Sequence, residues 1–169
     1  MTRALAIVVL ACTATPAFAQ DATRVGAISL AYVARSSKAG KAGLAEIEKF
    51  VRQKQSEAAI KSAELEEQRT ALLKRAQGLS PRAIADLQKT FDSSRVAFER
   101  FQQDAQADIE RMQQTFDAEF RVKLAPIIDA VSKEKGLQFV FGLEQAAIVW
   151  WSPAVDISED VTKRLDAGK

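Results

Sequence analysis

The stretch QGLSPRAIADLQ, residues 77–88, decides the fold, because it places a helix–helix turn between two long helical patterns. Gly78 suits the left-handed residue that ends a helix. Ser80 is a good N-cap, and Pro81 follows at the first helical position, where its missing N–H costs nothing. We therefore predict a tight turn over residues 77–81 that joins two antiparallel helices.

The helix before this turn is predicted from about Lys38 to Gln77. One heptad position is apolar throughout, and it comprises Leu44, Val51, Ala58, Leu65, Leu72 and Leu79. The companion position begins apolar and then turns polar, reading Ile47, Lys54, Lys61, Gln68 and Arg75. A two-position coiled-coil seam would keep both rows apolar. We therefore expect a narrow seam and loose packing along this helix.

The helix after the turn is predicted from Pro81 to about Lys135, and it carries an apolar stripe at helical spacing. Five phenylalanines lie on this stripe: Phe91, Phe98, Phe101, Phe116 and Phe120. Pro126 falls inside the pattern and is expected to kink or break the helix. Arms of about forty residues give a hairpin about 60 Å long. Two helices alone cannot bury so long a stripe, so it must meet other chains or a ligand.

The phenylalanine stripe has two interpretations. Aromatic stripes at helical spacing normally pack inward, which favours a core between the two helices. The alternative is an apolar inner wall that contacts a non-native protein, since hydrophobic burial requires no particular partner sequence. Both can hold along one helix.

A short strand is predicted ahead of the hairpin, in TRVGAISLAYVA, residues 23–34. The alternating, β-branched character around Val25 and Ile28 is typical of a strand. The following segment SSKAGKAG holds serines that can cap a helix and glycines that weaken its start.

Two further strands are predicted after the hairpin, where Gly136 ends the long helix. The first, residues 139–143, places Phe139 and Phe141 on one face. The second, residues 147–151, places Ile148 and Trp150 together. Asp156 and Glu159 are three residues apart, which indicates a capping box for a final helix that runs to about Asp166.

The first nineteen residues, MTRALAIVVLACTATPAFA, are predicted to be a secretory leader. Arg3 precedes a short apolar run, and Ala17-Phe18-Ala19 fits the small-x-small cleavage rule, so we expect cleavage after Ala19. The run is too short to span a bilayer. An alternative is a lipoprotein signal in which Cys12 is lipidated.

The composition excludes most catalytic chemistry. The chain has no histidine, and its only cysteine, Cys12, lies in the predicted leader. Thiolate catalysis, Ser-His-Asp catalysis and metal sites built from His or Cys are therefore excluded for the mature chain. Neither a P-loop nor a GxGxxG motif occurs. We predict a non-enzyme without a cofactor.

Charge is distributed unevenly along a nearly neutral chain, which has 24 Lys and Arg against 22 Asp and Glu. This balance argues against a nucleic-acid partner. The segment around the turn holds five cations against Asp86 alone, and they are Arg69, Lys74, Arg75, Arg82 and Lys89. Such a basic tip can attract acidic lipid head groups or acidic polypeptides. Alternatively, it only keeps the turn soluble.

The order of these parts resembles the periplasmic Skp/OmpH chaperones of Gram-negative bacteria. RVGAISLAYVARSSKAGKAGLAEIE, residues 24–48, is similar to the opening strand, turn and "GK" helix start of that family. KEKGLQFVFGLEQAAIVWWSPAVDISEDVTKRL, residues 133–165, is similar to its ending, with KEKG, two strands and D-I-T/S-x-x-V. The hairpin between them fits by shape.

The resemblance implies a mainly helical, jellyfish-like homotrimer. Residues 20–37 and 136–169 would form the strand-built body, and residues 38–135 would form hairpin arms around a cavity. The trimer core would contain Val25, Ile28, Phe139, Phe141, Ile148 and Trp150. The five phenylalanines would line the arms. The near-neutral charge and the pair Trp150-Trp151 depart from the family pattern.

The function that the resemblance implies is an ATP-independent holdase. Such a protein keeps unfolded outer-membrane proteins in its cavity within the periplasm, with no cofactor and no nucleic acid. Its basic tip would meet lipopolysaccharide or an anionic membrane surface. The alternative is an envelope coiled-coil scaffold with one specific folded partner, which explains the helices equally well.

Overall fold

The computed structural model describes residues 24–75, 78–144, 146 and 148–168. The predicted leader, with Cys12 and the cleavage site at Ala19, lies outside these residues, as do Gln77 and Ala147. Among the helices of the described ranges, none is both long enough and apolar enough to pass through a bilayer.

The chain is mainly helical with one small pair of strands, as the sequence predicts. Its elements are strand β1 (Val25–Ile28), helix α1 (Leu30–Ser36), helix α2 (Lys38–Arg75), helix α3 (Pro81–Glu134), strand β2 (Phe139–Gly142), a 3-10 turn (Pro153–Val155) and helix α4 (Ser158–Asp166). The 38 residues of α2 give it a length of about 57 Å.

Helices α2 and α3 run antiparallel as a hairpin. Lys54 of α2 pairs with Asp108 of α3, whereas Lys61, one heptad further along α2, lies over the ring of Phe101. Partners on α3 therefore descend in number as positions on α2 ascend. We call the strands, α1, α4 and the adjoining ends of α2 and α3 the base. The rest of the hairpin is the arm, and its root is the part that meets the base.

The turn at the far end of the arm is capped as predicted, with one difference. The Ser80 hydroxyl oxygen accepts a hydrogen bond from the Ala83 N–H at 3.3 Å, and Pro81 occupies the first helical position. The left-handed conformation predicted for Gly78 is wrong, since among the described glycines only Gly136 and Gly168 have positive φ. Gly78 itself lies in the turn ahead of α3.

Strands β1 and β2 form a parallel pair, with Val25 beside Phe139 and Ala27 beside Phe141. On its other edge β1 is bridged by Asp156, and the Ile157 N–H donates to the Ala27 carbonyl at 2.9 Å. Both edges of β1 are thus occupied within the single chain.

One strand prediction is confirmed and one is wrong. The short strand predicted within residues 23–34 is present as β1, and it ends at Ile28 because the Ser29 hydroxyl accepts from the Tyr32 N–H at 3.0 Å and starts α1. The strand predicted over residues 147–151 is absent, since residues 148–151 have no regular structure. Asp156 takes the second edge of β1, and the outer edge of β2 pairs with no strand of the described ranges.

Of the kink or break predicted at Pro126, the break does not occur, because α3 continues through it to Glu134. Leu124 and Val131, on either side of Pro126, are both buried in the base and hold the helix there. The helix then stops at Gly136 as predicted, with φ of 63° and the Leu137 N–H donating to the Ser132 carbonyl at 2.9 Å.

The capping box predicted for the last helix is not formed, because the N-cap of α4 is Ile157, which has no side-chain cap. Asp156 accepts a hydrogen bond from the Ser158 N–H at 2.8 Å. Glu159 instead pairs with Lys163, 2.7 Å away on the next turn of α4. The serine cap predicted before α2 is present, since the Ser37 hydroxyl accepts from the Gly40 N–H at 3.0 Å.

The hydrophobic core lies in the base. It comprises Ile28, Val33, Ala34, Phe120, Leu124, Val131, Ile157, Val161 and Leu165. Among the described residues further out, only Ile47 and Ala105 are buried apolar side chains of the hairpin. Most of the apolar burial therefore lies in the base. Because helices in proteins gain their stability chiefly from tertiary packing, the arm depends on the base for its stability.

Candidate functional site

The small sheet presents an exposed aromatic face. Phe139 and Phe141 alternate with Val140 along β2, so they share the side of the sheet opposite to the core. Their exposed fractions are 59% and 47%, whereas Val140 packs against the core. Within the described ranges, the outer edge of β2 pairs with no other strand. An unpaired strand edge beside exposed aromatic rings is a template for another chain.

The segment after β2 adds to this apolar surface. Val149 is 98% exposed, Trp150 is 79% exposed and Trp151 is also exposed, while Ile148 is half-buried. Large apolar side chains that stay exposed together at one end of a protein mark an interaction surface.

The other two predicted assembly residues are placed differently. Val25 lies beside Phe139 and is half-buried. Ile28, which is also expected in the trimer core, lies in the core of its own chain. Ile28 pairs with Gly142 and so points to the face opposite Phe139 and Phe141.

The phenylalanine stripe divides into two parts. Phe120 is only 7% exposed and belongs to the base core, stacked on Phe116 with ring centroids 5.3 Å apart. Core packing covers the Phe120 ring, so little of this ring is open to a client. Phe91, Phe98 and Phe101 are half-buried on the arm.

The polar row of α2 lies against α3 and covers aromatic rings. The Lys54 ammonium group lies 5.2 Å from the ring centroid of Phe50 and 5.7 Å from that of Phe101, and Lys61 lies 5.3 Å from Phe101. Lys54 also pairs with Asp108 at 3.5 Å. Lysine stems can cover apolar surface while the charged head stays at the edge. The sequence predicts that the polar row of α2 only loosens the seam between the helices, whereas its lysine stems form part of that seam.

The seam nevertheless contains an unsatisfied group. Within the described chain, the Gln68 side-chain oxygen is buried and accepts no hydrogen bond. A buried acceptor without a partner costs about 1–3 kcal/mol. This group weakens the seam at one point of the outer arm.

The structure brings the cations of the basic tip to the end of the arm that is farthest from the base. Lys74, Arg82 and Lys89 are exposed. Arg69 is also exposed and pairs with Glu66 at 3.7 Å. The Arg75 side chain lies outside the described part of the structure.

Sequence reasoning missed one polar contact that organises the base. A Glu144 carboxylate oxygen accepts from the Ser29 hydroxyl at 2.6 Å and from the Ala31 N–H at 3.0 Å, and the other accepts from the Leu30 N–H at 3.3 Å. Glu144 thus caps α1 and ties the chain after β2 to it. Ala31 and Glu144 are 113 residues apart in sequence, so no local pattern reveals the contact.

The Glu144 cap predicts a pH-dependent stability. Burial raises the pKa of this carboxyl, but the hydrogen bonds from Ser29, Ala31 and Leu30 outweigh that effect and place the pKa below its ordinary 4.5. The cap is therefore fully present above pH 4.5 and is lost as pH falls through the lowered pKa. Glu144→Ala should cost about 1 kcal/mol at neutral pH, the typical value for a lost helix cap.

Urea denaturation followed by circular dichroism checks this prediction at neutral and at acid pH. The difference between wild type and Glu144→Ala should shrink at acid pH. Glu64→Ala, at an exposed arm position, should show no such difference. An Ala variant at position 144 that matches the wild type at neutral pH would contradict the cap.

No metal site is evident in the described residues. Their Asp and Glu side chains form no group of three or more that could hold a metal ion.

Comparison with known proteins shows which family shares this arrangement of a helical hairpin and a small sheet. Residues 24–165 match the family described as outer membrane protein (OmpH-like). No curated protein matches the chain. A crystal structure from Caulobacter crescentus CB15, described as that of a candidate outer membrane chaperone (OmpH-like), matches with a TM-score of 0.75 and 23% identity. The match covers 86% of this chain and 85% of that one, and it shows a shared fold.

Proposed function

This chain belongs to the OmpH-like outer membrane protein family, and from that premise we propose that it is a periplasmic chaperone. It holds unfolded outer-membrane proteins and prevents their aggregation without ATP. The family resemblance predicted from the order of parts is confirmed. The observation that carries the proposal is the long arm, whose aromatic side chains Phe91, Phe98 and Phe101 stay only half-buried.

Assembly into a homotrimer is part of the proposal. The exposed rings of Phe139 and Phe141 and the free edge of β2 support it, because both would be covered by strands of other copies. Trp150 is exposed on the same base. Three arms that start from one base would enclose a shared space.

The arms would contact clients through apolar surface. Ile60 and Leu73 are exposed on α2, and the three half-buried phenylalanines lie on α3. Hydrophobic contact is non-directional, so one surface can accept many unfolded sequences. Since a client makes many such contacts, no single arm residue should be indispensable.

The basic tip would meet an anionic surface, such as lipopolysaccharide or the head groups of a membrane. Lys74, Arg82 and Lys89 are exposed at the turn. Exposed cations attract such surfaces over about 10 Å at moderate salt.

An aggregation assay tests the proposal. A β-barrel outer-membrane protein unfolded in urea is diluted into buffer with the purified chain, and turbidity is followed without nucleotide. We expect one trimer per client to suppress most of the aggregation. Aggregation that persists at a several-fold trimer excess would contradict the holdase function. Recovery of one stoichiometric folded partner in a pull-down would favour the scaffold instead.

A further inference from the structure

A groove lies at the root of the arm, between α2 and α3, with a volume of about 570 Å³. Its floor is apolar and comprises Gly43, Ile47, Phe50, Met112 and Phe116. Its rim is polar and comprises Glu46, Asp108, Arg111, Thr115 and Glu119.

Gly43 shapes the floor of this groove. A Cβ atom at this position would lie 2.1 Å from the nearest ring carbon of Phe116, which is far closer than two carbon atoms approach. Only glycine lets the Phe116 ring lie directly against α2. The ring in turn stacks on Phe120 of the base core, so the floor is anchored rather than mobile.

The charges of the rim do not cancel. Arg111 pairs with Asp108 at 3.1 Å, and Lys54 pairs with the same carboxylate at 3.5 Å. In the described part of the chain, Glu46 and Glu119 form no ion pair. Three carboxylates therefore face two cations around the groove, so a net charge of −1 stands beside an apolar floor, and Glu46 and Glu119 are its unpaired members.

We propose that this groove binds an apolar side chain of an unfolded polypeptide that carries lysine or arginine next to it. The apolar floor contributes burial of about 25 cal/mol for each Å² of apolar surface covered. The carboxylates of Glu46 and Glu119 attract a neighbouring cation and repel a neighbouring carboxylate. This inference rests on the proposed chaperone function and deepens it, because it names the client segments that the arm root selects.

Two fluorescent peptides with blocked ends test the groove. They share one Leu-Phe-Leu centre, which is flanked by lysines in one peptide and by glutamates in the other. Fluorescence anisotropy with the whole protein gives each Kd. We expect the lysine-flanked peptide to bind roughly two- to tenfold more tightly at low salt, since each exposed pair contributes little and salt screens it. Equal affinities would overturn the proposal.

Substitutions in the protein test whether a preference for the lysine-flanked peptide arises at this groove. Glu46→Gln combined with Glu119→Gln should bring the ratio of the two affinities close to one. Thr115→Lys, at an exposed rim position, should weaken binding of the lysine-flanked peptide alone. Glu64→Gln combined with Asp104→Asn changes the net charge equally on exposed arm positions outside the groove, so the preference should persist. A preference that survives in the first variant, or disappears in the control, would overturn the proposal.

The peptide-binding assay and the aggregation assay test different proposals, so one can fail while the other holds. A protein that prevents aggregation but binds neither peptide would overturn the groove and leave the chaperone function standing. A protein that shows the charge preference but fails to prevent aggregation would overturn the chaperone function and leave the groove standing.

Discussion

Leu124→Ala is expected to lower the free energy of unfolding by about 2–5 kcal/mol, the usual cost of truncating a buried leucine. Leu124 has no exposed surface and lies where α3 crosses the base core. The lost methyl groups leave a cavity that the rigid sheet and helices around it cannot fully close. Urea denaturation followed by circular dichroism, at one fixed protomer concentration, measures the change.

Val122→Ala is the matched control, because Val122 lies on the same helix and is 75% exposed. Exposed substitutions of this kind usually change stability by less than about 0.5 kcal/mol. Similar losses in the two variants would show that the base is not the main source of stability.

Phe139→Asp is expected to break the assembly while leaving the single chain folded. The Phe139 ring is mostly exposed in one chain, so its removal costs little within that chain. In an assembled body the aspartate would be buried among apolar side chains, which is costly for an unpaired charge. Sedimentation velocity should show the wild type at three times the mass of a single chain and the variant at the single-chain mass.

Val122→Asp provides the control for charge alone, since it places the same carboxylate on an exposed helical position. It should sediment as the wild type does. An intact trimer in Phe139→Asp would show that the aromatic face of the sheet does not form the interface, and a monomeric wild type would remove the assembly altogether.

The hairpin could be predicted from sequence because its determinants are local. The Ser80 cap and Pro81 lie next to the turn that they shape, and both are placed as expected. The length of each helix follows from a periodicity that needs no information about the rest of the chain.

The base could be predicted only in part, because its contacts join distant segments. The short strand within residues 23–34 could be predicted, but helix α1 directly after it could not, because Ser29 and the remote Glu144 carboxylate start it together. Residues 148–151 have the side chains of a strand, but they pair with neither edge of the sheet in the single chain, since Asp156 occupies the edge of β1 and the outer edge of β2 stays unpaired in the described ranges.

The candidate surfaces could likewise be predicted only where local sequence patterns determine them. Periodicity placed Phe101 and Phe120 on one stripe, but it could not show that the base core covers only Phe120. Lys54 and Lys61 read as polar interruptions, whereas their stems pack on aromatic rings. The groove needs both Gly43 and Phe116, which lie on different helices and therefore belong to no single pattern.

The parallel pairing of β1 with β2 also fixes the order of folding. Val25 pairs with Phe139, and the entire hairpin separates them in the sequence. The helices can form from local contacts, but β1 gains its partner strand only when the chain beyond α3 folds back to it. A chain in which β2 has not yet docked therefore has no aromatic sheet face through which it could join other copies.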